Sequence, residues 1–229
     1  MKHIQKTVEP TEFTEWKKGV SSDWAPSWGA LDGSPIKQVV KNALLDEQGR
    51  ICCYCGISIR NEDSHIEHFR PRRGPHAWPG GELDYQNLHA SCLSDQQDGA
   101  KPHCGMKKGD WFDPHLLISP LDPGCEARFG YRADGAMFAQ TTGDTAAETT
   151  MNRLGLQIEF LNAHRRKAIE ASGLFDVLAD ASADEIQAWA DTLMQRGPDG
   201  AFTEFCFATA YVLKHYSTAG WMKKNQNDV

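Results

Sequence analysis

Two groups of side chains that can do chemistry crowd one stretch of this 229-residue sequence. Cys52 and Cys55 lie in Cys-Cys-Tyr-Cys-Gly, a C-x-x-C spacing that lets two thiolates on one turn meet a single ion at about 2.3 Å. Cys92 and Cys104 are best placed to complete a tetrahedron, although the gap between them is far longer than a second knuckle. His103 or His89 are the substitute zinc ligands if one of the four is excluded, and the bland alternative is a set of packing thiols. Cys53, Cys125 and Cys206 are read as spectators.

Between the cysteine pairs runs His65-Ile66-Glu67-His68-Phe69-Arg70-Pro71, with Asn87 further on. Hydrolysis of a phosphodiester needs a base for water, a divalent cation to neutralise charge at phosphate, and a group that holds the base in place. His68 suits the first need, Glu67 can hold a cation such as Mg²⁺, and the Asn87 amide can fix a loop or an imidazole. Taken singly, a His, a Glu or an Asn is more often a solvated or capping residue. Their order between two cysteine pairs gives them weight.

The elements that must position these groups are only partly periodic. Pro10 to Lys18 reads as a short helix in an otherwise irregular arm reaching about Gly33, with Trp16, Trp24 and Trp28 as packing anchors. Ser34 as N-cap and Pro35 at the first position start a helix carrying Ile36, Val39, Val40, Ala43 and Leu44 on one face, stopped by Gly49. From Ile51 to about Pro114 periodicity fades, so metal is expected to stand in for a missing core, with Glu67 and His68 at the end of a short strand. A hairpin is expected over Glu126–Phe138, turning at Ala133-Asp134-Gly135. From about Glu148 the chain reads as helical, with a capping box over Ser182–Glu185 and a last helix marked by Phe202, Phe205, Thr209, Val212, Leu213 and Tyr216.

Composition sets the class. A 40% hydrophobic and 24% charged chain, with no apolar run approaching the about 18 residues of a bilayer span, reads as globular and not membrane-bound. Its start, MKHIQKTVEP, has no apolar signal core, so a cytoplasmic location is expected, where clustered cysteines point to metal and not to disulfides. The net charge of −7 argues against a protein that coats nucleic acid by bulk charge, but leaves room for a local basic site.

The order C-C-Y-C-G, I-E-H-F-R-P, Y-Q-N-L-H-A-S-C and H-C-G-M-K-K-G resembles the cysteine-containing HNH endonucleases over about Gly49 to Lys108. The resemblance implies an α+β fold with a small ββα-metal core pinned by a structural zinc on Cys52, Cys55, Cys92 and Cys104. It implies a catalytic divalent cation, Mg²⁺ or another, at Glu67, with His68 as general base and Asn87 as the central asparagine. The family's last metal ligand falls on Gly105, a departure that leaves His65, His89, His103, Asp110, or water and substrate oxygens to complete the site. Lys107, Lys108, Arg70 and Arg73 become candidate phosphate contacts, each equally readable as solvated basic surface.

More widely, I-Q-K-x-x-x-P, Q-G-R-I-C-C-Y-C-G, T-T-M-N-R-L-G-L and L-N-A-H-R-R are similar to HNH proteins encoded beside an ATPase in Septu and some retron anti-phage systems. That likeness implies a nucleic-acid substrate, DNA being expected, and an ATPase partner. The expected organisation is an arm and helix over 1–48, the nuclease core over 49–115, a hairpin connection over 116–147, and a helical accessory region over 148–229 that docks the partner or simply backs the core. Two other classes compete: a non-catalytic zinc module for nucleic acid or a protein, and a thiol redox protein on Cys52 and Cys55. The second is disfavoured because its C-x-x-C does not precede a helix in a βαβ pattern.

Overall fold

A computed structural model describes residues 1–93, 101–173, 178 and 181–216. Most of the polar stretch between Cys92 and Cys104, and the last part of the expected accessory region, lie outside the described residues. The chain opens with α1 (Thr11–Lys18), α2 (Trp28–Asp32) and α3 (Ile36–Glu47). Helix α2 lies inside the stretch expected to be irregular. It is too short for periodicity to reveal, and its start is marked only by Ser27, whose Oγ accepts from Ala30 N at 3.2 Å. Helix α3 begins one residue later than expected, with Ser34 Oγ accepting from Ile36 N at 3.1 Å. It buries Val40, Leu44 and Leu45 and ends before Gly49, whose φ of +61° suits a glycine stop.

Strands β1 (Ser64–His68) and β2 (Leu88–Cys92) pair antiparallel, with Ser64 opposite Cys92, Glu67 opposite His89 and His68 opposite Leu88. Among the described residues, no third strand pairs with the other edge of β2. Instead, Gln48 from the end of α3 donates to Ala90 O at 2.9 Å and accepts from Ala90 N at 2.7 Å, while Cys53 N donates to the same carbonyl at 3.1 Å. A side-chain amide thus replaces a strand and satisfies a buried edge. After β2, α4 (Cys104–Lys108) lies against the strand, where Gly105 N donates to Ser91 Oγ at 3.3 Å.

A second hairpin, β3 (Phe129–Tyr131) with β4 (Met137–Ala139), forms as expected but starts at Phe129, because Glu126–Arg128 is a 3₁₀ turn. Its turn needs Gly135, at φ +84°, where a Cβ would lie 2.0 Å from Asn162 O. Helices α5 (Thr145–Leu154), α6 (Glu159–Ala171), α7 (Ala183–Leu193) and α8 (Cys206–Tyr216) follow, and the Ser182–Glu185 capping box is present at α7.

Phe202 and Phe205 precede α8 and are not part of it. They return the chain to the cysteine turn: Phe202 N donates to Gly49 O at 2.8 Å and Phe205 N to Gly56 O at 3.0 Å. The expectation that metal replaces a core between Ile51 and Pro114 does not hold. Ile51, Tyr54, Ile59, Ile66, Leu88 and Ala90 belong to one continuous core that also takes in Phe13, Leu154 and Phe207. These residues come from turns and short strands, so no period displays them. Among the described residues, no helix is long and apolar enough to cross a membrane.

Candidate metal centre and active site

Local backbone brings the four cysteines together. Cys52 N donates to Ile57 O at 2.9 Å and Gly56 N to Cys52 O at 3.1 Å, closing the turn that carries Cys52 and Cys55. Gly56, at φ +81°, is required there because a Cβ would sit 2.4 Å from the Phe207 ring. Cys92 ends β2 and Cys104 starts α4 at φ +52°, a left-handed backbone that a residue with a Cβ keeps only where its surroundings hold it. The four sulfurs lie within 4.8 Å of one another, and Cys55 and Cys92 are 3.9 Å apart.

A tetrahedron with bonds of about 2.3 Å has edges of about 3.8 Å, so this buried quartet fits structural zinc. Burial would raise the Cys52 thiol, but hydrogen bonds from Cys104, Cys53, Cys55 and Cys92 outweigh it and hold Cys52 well below the usual range, while burial and the contacts with Cys52, Cys55 and Cys92 push Cys104 well above it. His103 stands beside the quartet and not in it. Burial would lower its imidazole, but a hydrogen bond to Cys55 raises it.

On β1 the carboxylate and imidazole expected to do chemistry are adjacent and nearly buried. Glu67 is 7% exposed and His68 8%, low enough for neighbours and not water to set their protonation. Glu67 Oε1 accepts from Lys108 Nζ at 2.8 Å and Tyr54 OH at 3.3 Å, while Oε2 lies 3.3 Å from His65 Nε2. Burial alone would push the Glu67 carboxyl up, but His65 and the Lys108 ammonium outweigh it and keep the group ionised.

His68 is held from two sides. Its Nε2 is 3.0 Å from Glu82 O, the Trp28 ring meets it edge-on at 4.4 Å, and the Arg72 guanidinium stacks 4.8 Å from the same Trp28 ring. A carbonyl only accepts, so Nε2 carries the proton and Nδ1 keeps the lone pair. Burial pushes the imidazole down to about 4, helped by Arg72 and Lys108 and opposed by the Glu82 carbonyl and Glu67. The ring is therefore neutral near pH 7.

Asn87 works through backbone. Its Oδ1 accepts from Arg70 N at 2.8 Å, and its Nδ2 donates to Arg70 O and Gly81 O, each at 3.0 Å. It thus ties the chain after β1 to the loop that presents the Glu82 carbonyl, and touches neither Glu67 nor His68 by hydrogen bond.

The remaining expected residues divide. Arg73, Arg72, Asp110, Lys108, Glu67 and His68 line a cleft of about 250 Å³. Lys108, expected to contact phosphate, is instead buried with its ammonium spent on Glu67, His68 O and Gly109 O. A phosphate contact needs an exposed cation, whereas this one fixes the carboxylate. Lys107 points away, donating to Asn152 O at 2.8 Å beside the end of α5. Arg70 donates to His76 O at 3.3 Å and lies over Trp78. His89 is fully buried and is not among the residues lining the cleft. Sequence reasoning missed Tyr54, Trp28 and the Glu82 carbonyl as site groups. Arg72 sits in the basic cluster beside Arg73, but nothing in its spacing distinguishes it.

A search of known proteins finds this chain 31% identical over 166 residues to a Vibrio cholerae (serotype O1 biovar El Tor) protein named "Retron Vc95 putative HNH endonuclease". The alignment spans 70% of this chain and 78% of that relative. No family model matches the sequence.

Proposed function

Because the chain belongs to the HNH endonuclease family, we propose that it hydrolyses nucleic-acid phosphodiester bonds, those of DNA first, at the Glu67–His68 end of β1. The antiparallel β1–β2 pair and the α4 that follows are read as the ββα-metal core, with zinc on the four cysteines holding the end of β2 against the start of α4.

The observation that carries the reading is the state of the two adjacent side chains. Glu67, which lines the cleft, is an ionised carboxylate with one oxygen tied to Lys108 and Tyr54 and the other beside His65. A divalent cation held there would neutralise charge building at the phosphate. His68, neutral and oriented by the Glu82 carbonyl, takes a proton from the attacking water at Nδ1. As the new P–O bond forms, the bond to the leaving oxygen breaks. Arg73 and Arg72 at the cleft supply positive charge for the strand's phosphates, and such contacts position a strand without reading its bases.

The chain is read further as the nuclease effector of an anti-phage defence system, controlled by an ATPase encoded alongside. Support comes from the relative's retron name and from the acidic net charge of −7, which suits a nuclease brought to its substrate by a partner.

His68→Ala should abolish Mg²⁺- or Mn²⁺-dependent cutting by the protein with its ATPase, while zinc content and folding persist. Retained cutting removes His68 from the chemistry. The competing reading, a non-catalytic zinc module, has Gly105 in its favour, because no side chain stands at the family's last ligand position. It gains if the wild-type assembly cuts neither DNA nor RNA.

A further inference from the structure

We propose that His65 Nε2 is the protein ligand that completes the catalytic cation site with Glu67, replacing the side chain missing at Gly105. The inference rests on the nuclease reading above and names the donor that reading leaves open.

Gly105 is more than a vacancy in a pattern. A Cβ there would lie 2.5 Å from Glu67 Oε2 and 2.8 Å from His65 Nε2, so the volume a side chain would enter is filled by two donor atoms. His65 and Glu67 are two apart on β1 and share a face, so their side chains converge without any change of backbone. Opposite His65 in the register stands Ser91, whose Oγ accepts from Gly105 N, which keeps the start of α4 close against that face.

The spacing of the two atoms fits one ion. Nε2 and Oε2 are 3.3 Å apart. Two ligands each about 2.1 Å from a metal are about 3.0 Å apart at a right angle and about 3.4 Å apart at a tetrahedral angle. Glu67 Oε1 is already taken by Lys108 and Tyr54, so Oε2 is the oxygen left to bind, and it is the one facing His65. The His65 side chain is 25% exposed and lines the cleft, so an ion can reach it.

The other three candidates do not converge on this point. His89 is fully buried and does not line the cleft. His103 packs on the Phe160 ring at 5.9 Å and serves Cys55. Asp110 lines the same cleft but is exposed, packs against Gly74, and is not among the atoms nearest a Cβ at Gly105. A mixed nitrogen and oxygen pair also favours ions softer than Mg²⁺ or Ca²⁺, which makes Mn²⁺ a fitting probe.

The test uses the full-length, zinc-loaded protein titrated with Mn²⁺, with free Mn²⁺ followed by electron paramagnetic resonance and coordination read by pulsed measurements on ¹⁵N-histidine-labelled samples. Wild type should show coupling to a directly bound imidazole nitrogen. His65→Ala should weaken Mn²⁺ binding by about tenfold or more. Both His65→Ala and the shape-conserving His65→Asn should lose the nitrogen coupling while zinc stays bound. Coupling that survives in both variants, or wild-type Mn²⁺ with oxygen ligands only, overturns the proposal. If Glu67→Gln loses Mn²⁺ but the His65 variants do not, only this inference fails. If Glu67→Gln binds Mn²⁺ as wild type does, the cation site read at Glu67 fails with it.

Discussion

Lys108→Met is the most telling perturbation of the site, because it removes an ammonium and keeps the apolar stem. In the wild type the Lys108 side chain is 1% exposed, and its ammonium bonds Glu67 Oε1 at 2.8 Å and donates to His68 O at 3.0 Å and Gly109 O at 3.1 Å. Without it, Glu67 is left buried and ionised with only His65 and Tyr54 beside it. Breaking a buried pair by removing one partner costs about 3–5 kcal/mol, a large share of a total stability of about 5–15 kcal/mol.

The pH dependence gives a second handle. Glu67 is held below its ordinary carboxylate value in the wild type, so its contribution is present above that value and lost as pH falls through the lower one. In Lys108→Met the carboxyl rises, so acid protonates it in the variant before the wild type, and the deficit should shrink as pH falls through the variant's raised value. Urea unfolding of zinc-saturated protein, without added divalent cation, should show the full deficit at pH 7 and a smaller one at pH 4. Adding Mn²⁺ should restore part of it at pH 7. A deficit under about 1 kcal/mol, or one that does not change between these pH values, refutes the assignment of Lys108 to Glu67. A lysine acting only as an exposed phosphate contact would leave stability untouched and weaken substrate binding instead.

Three further outcomes are expected. Since the His68 imidazole is pushed down to about 4, the unfolded chain takes up a proton between about pH 6.5 and 4 that the native protein refuses, so stability falls as the pH is lowered across that window; His68→Gln should flatten this slope, measured by urea unfolding without divalent cation. Cys92→Ala, or stripping zinc with a chelator, should unfold the β1–β2 region, read as lost amide protection over residues 64–68 and 88–92, because the quartet joins β2 to the cysteine turn and α4; unchanged protection in a zinc-free protein would count against a structural ion. Asn87→Ala leaves the Arg70 and Gly81 groups without their partner at about 1–3 kcal/mol each, and should speed hydrogen exchange over residues 69–82 and reduce cutting while zinc is kept; unaltered exchange there would show that Asn87 does not brace the loop.

The sequence alone carried the cysteine set, the Glu67–His68 pair, the capped helices and the second hairpin, because each is written in local spacing: a C-x-x-C turn, a carboxylate beside an imidazole, an N-cap before an apolar stripe, a glycine at a turn. It also showed that position 105 has no side chain to offer a cation.

What stands in that space was decided by tertiary structure. Only the pairing of β1 with β2, with α4 laid across it, brings His65 and Glu67 to the volume above Gly105. The same packing turned Lys108 inward to Glu67 and Lys107 outward to α5, although the two are neighbours in a basic run and read alike. Trp28 and the Glu82 carbonyl reach His68 from loops and a five-residue helix, contacts fixed by long-range closure that leave no period behind. Local spacing can name the groups able to react; which of their atoms are free to do so is set by neighbours far away in the chain.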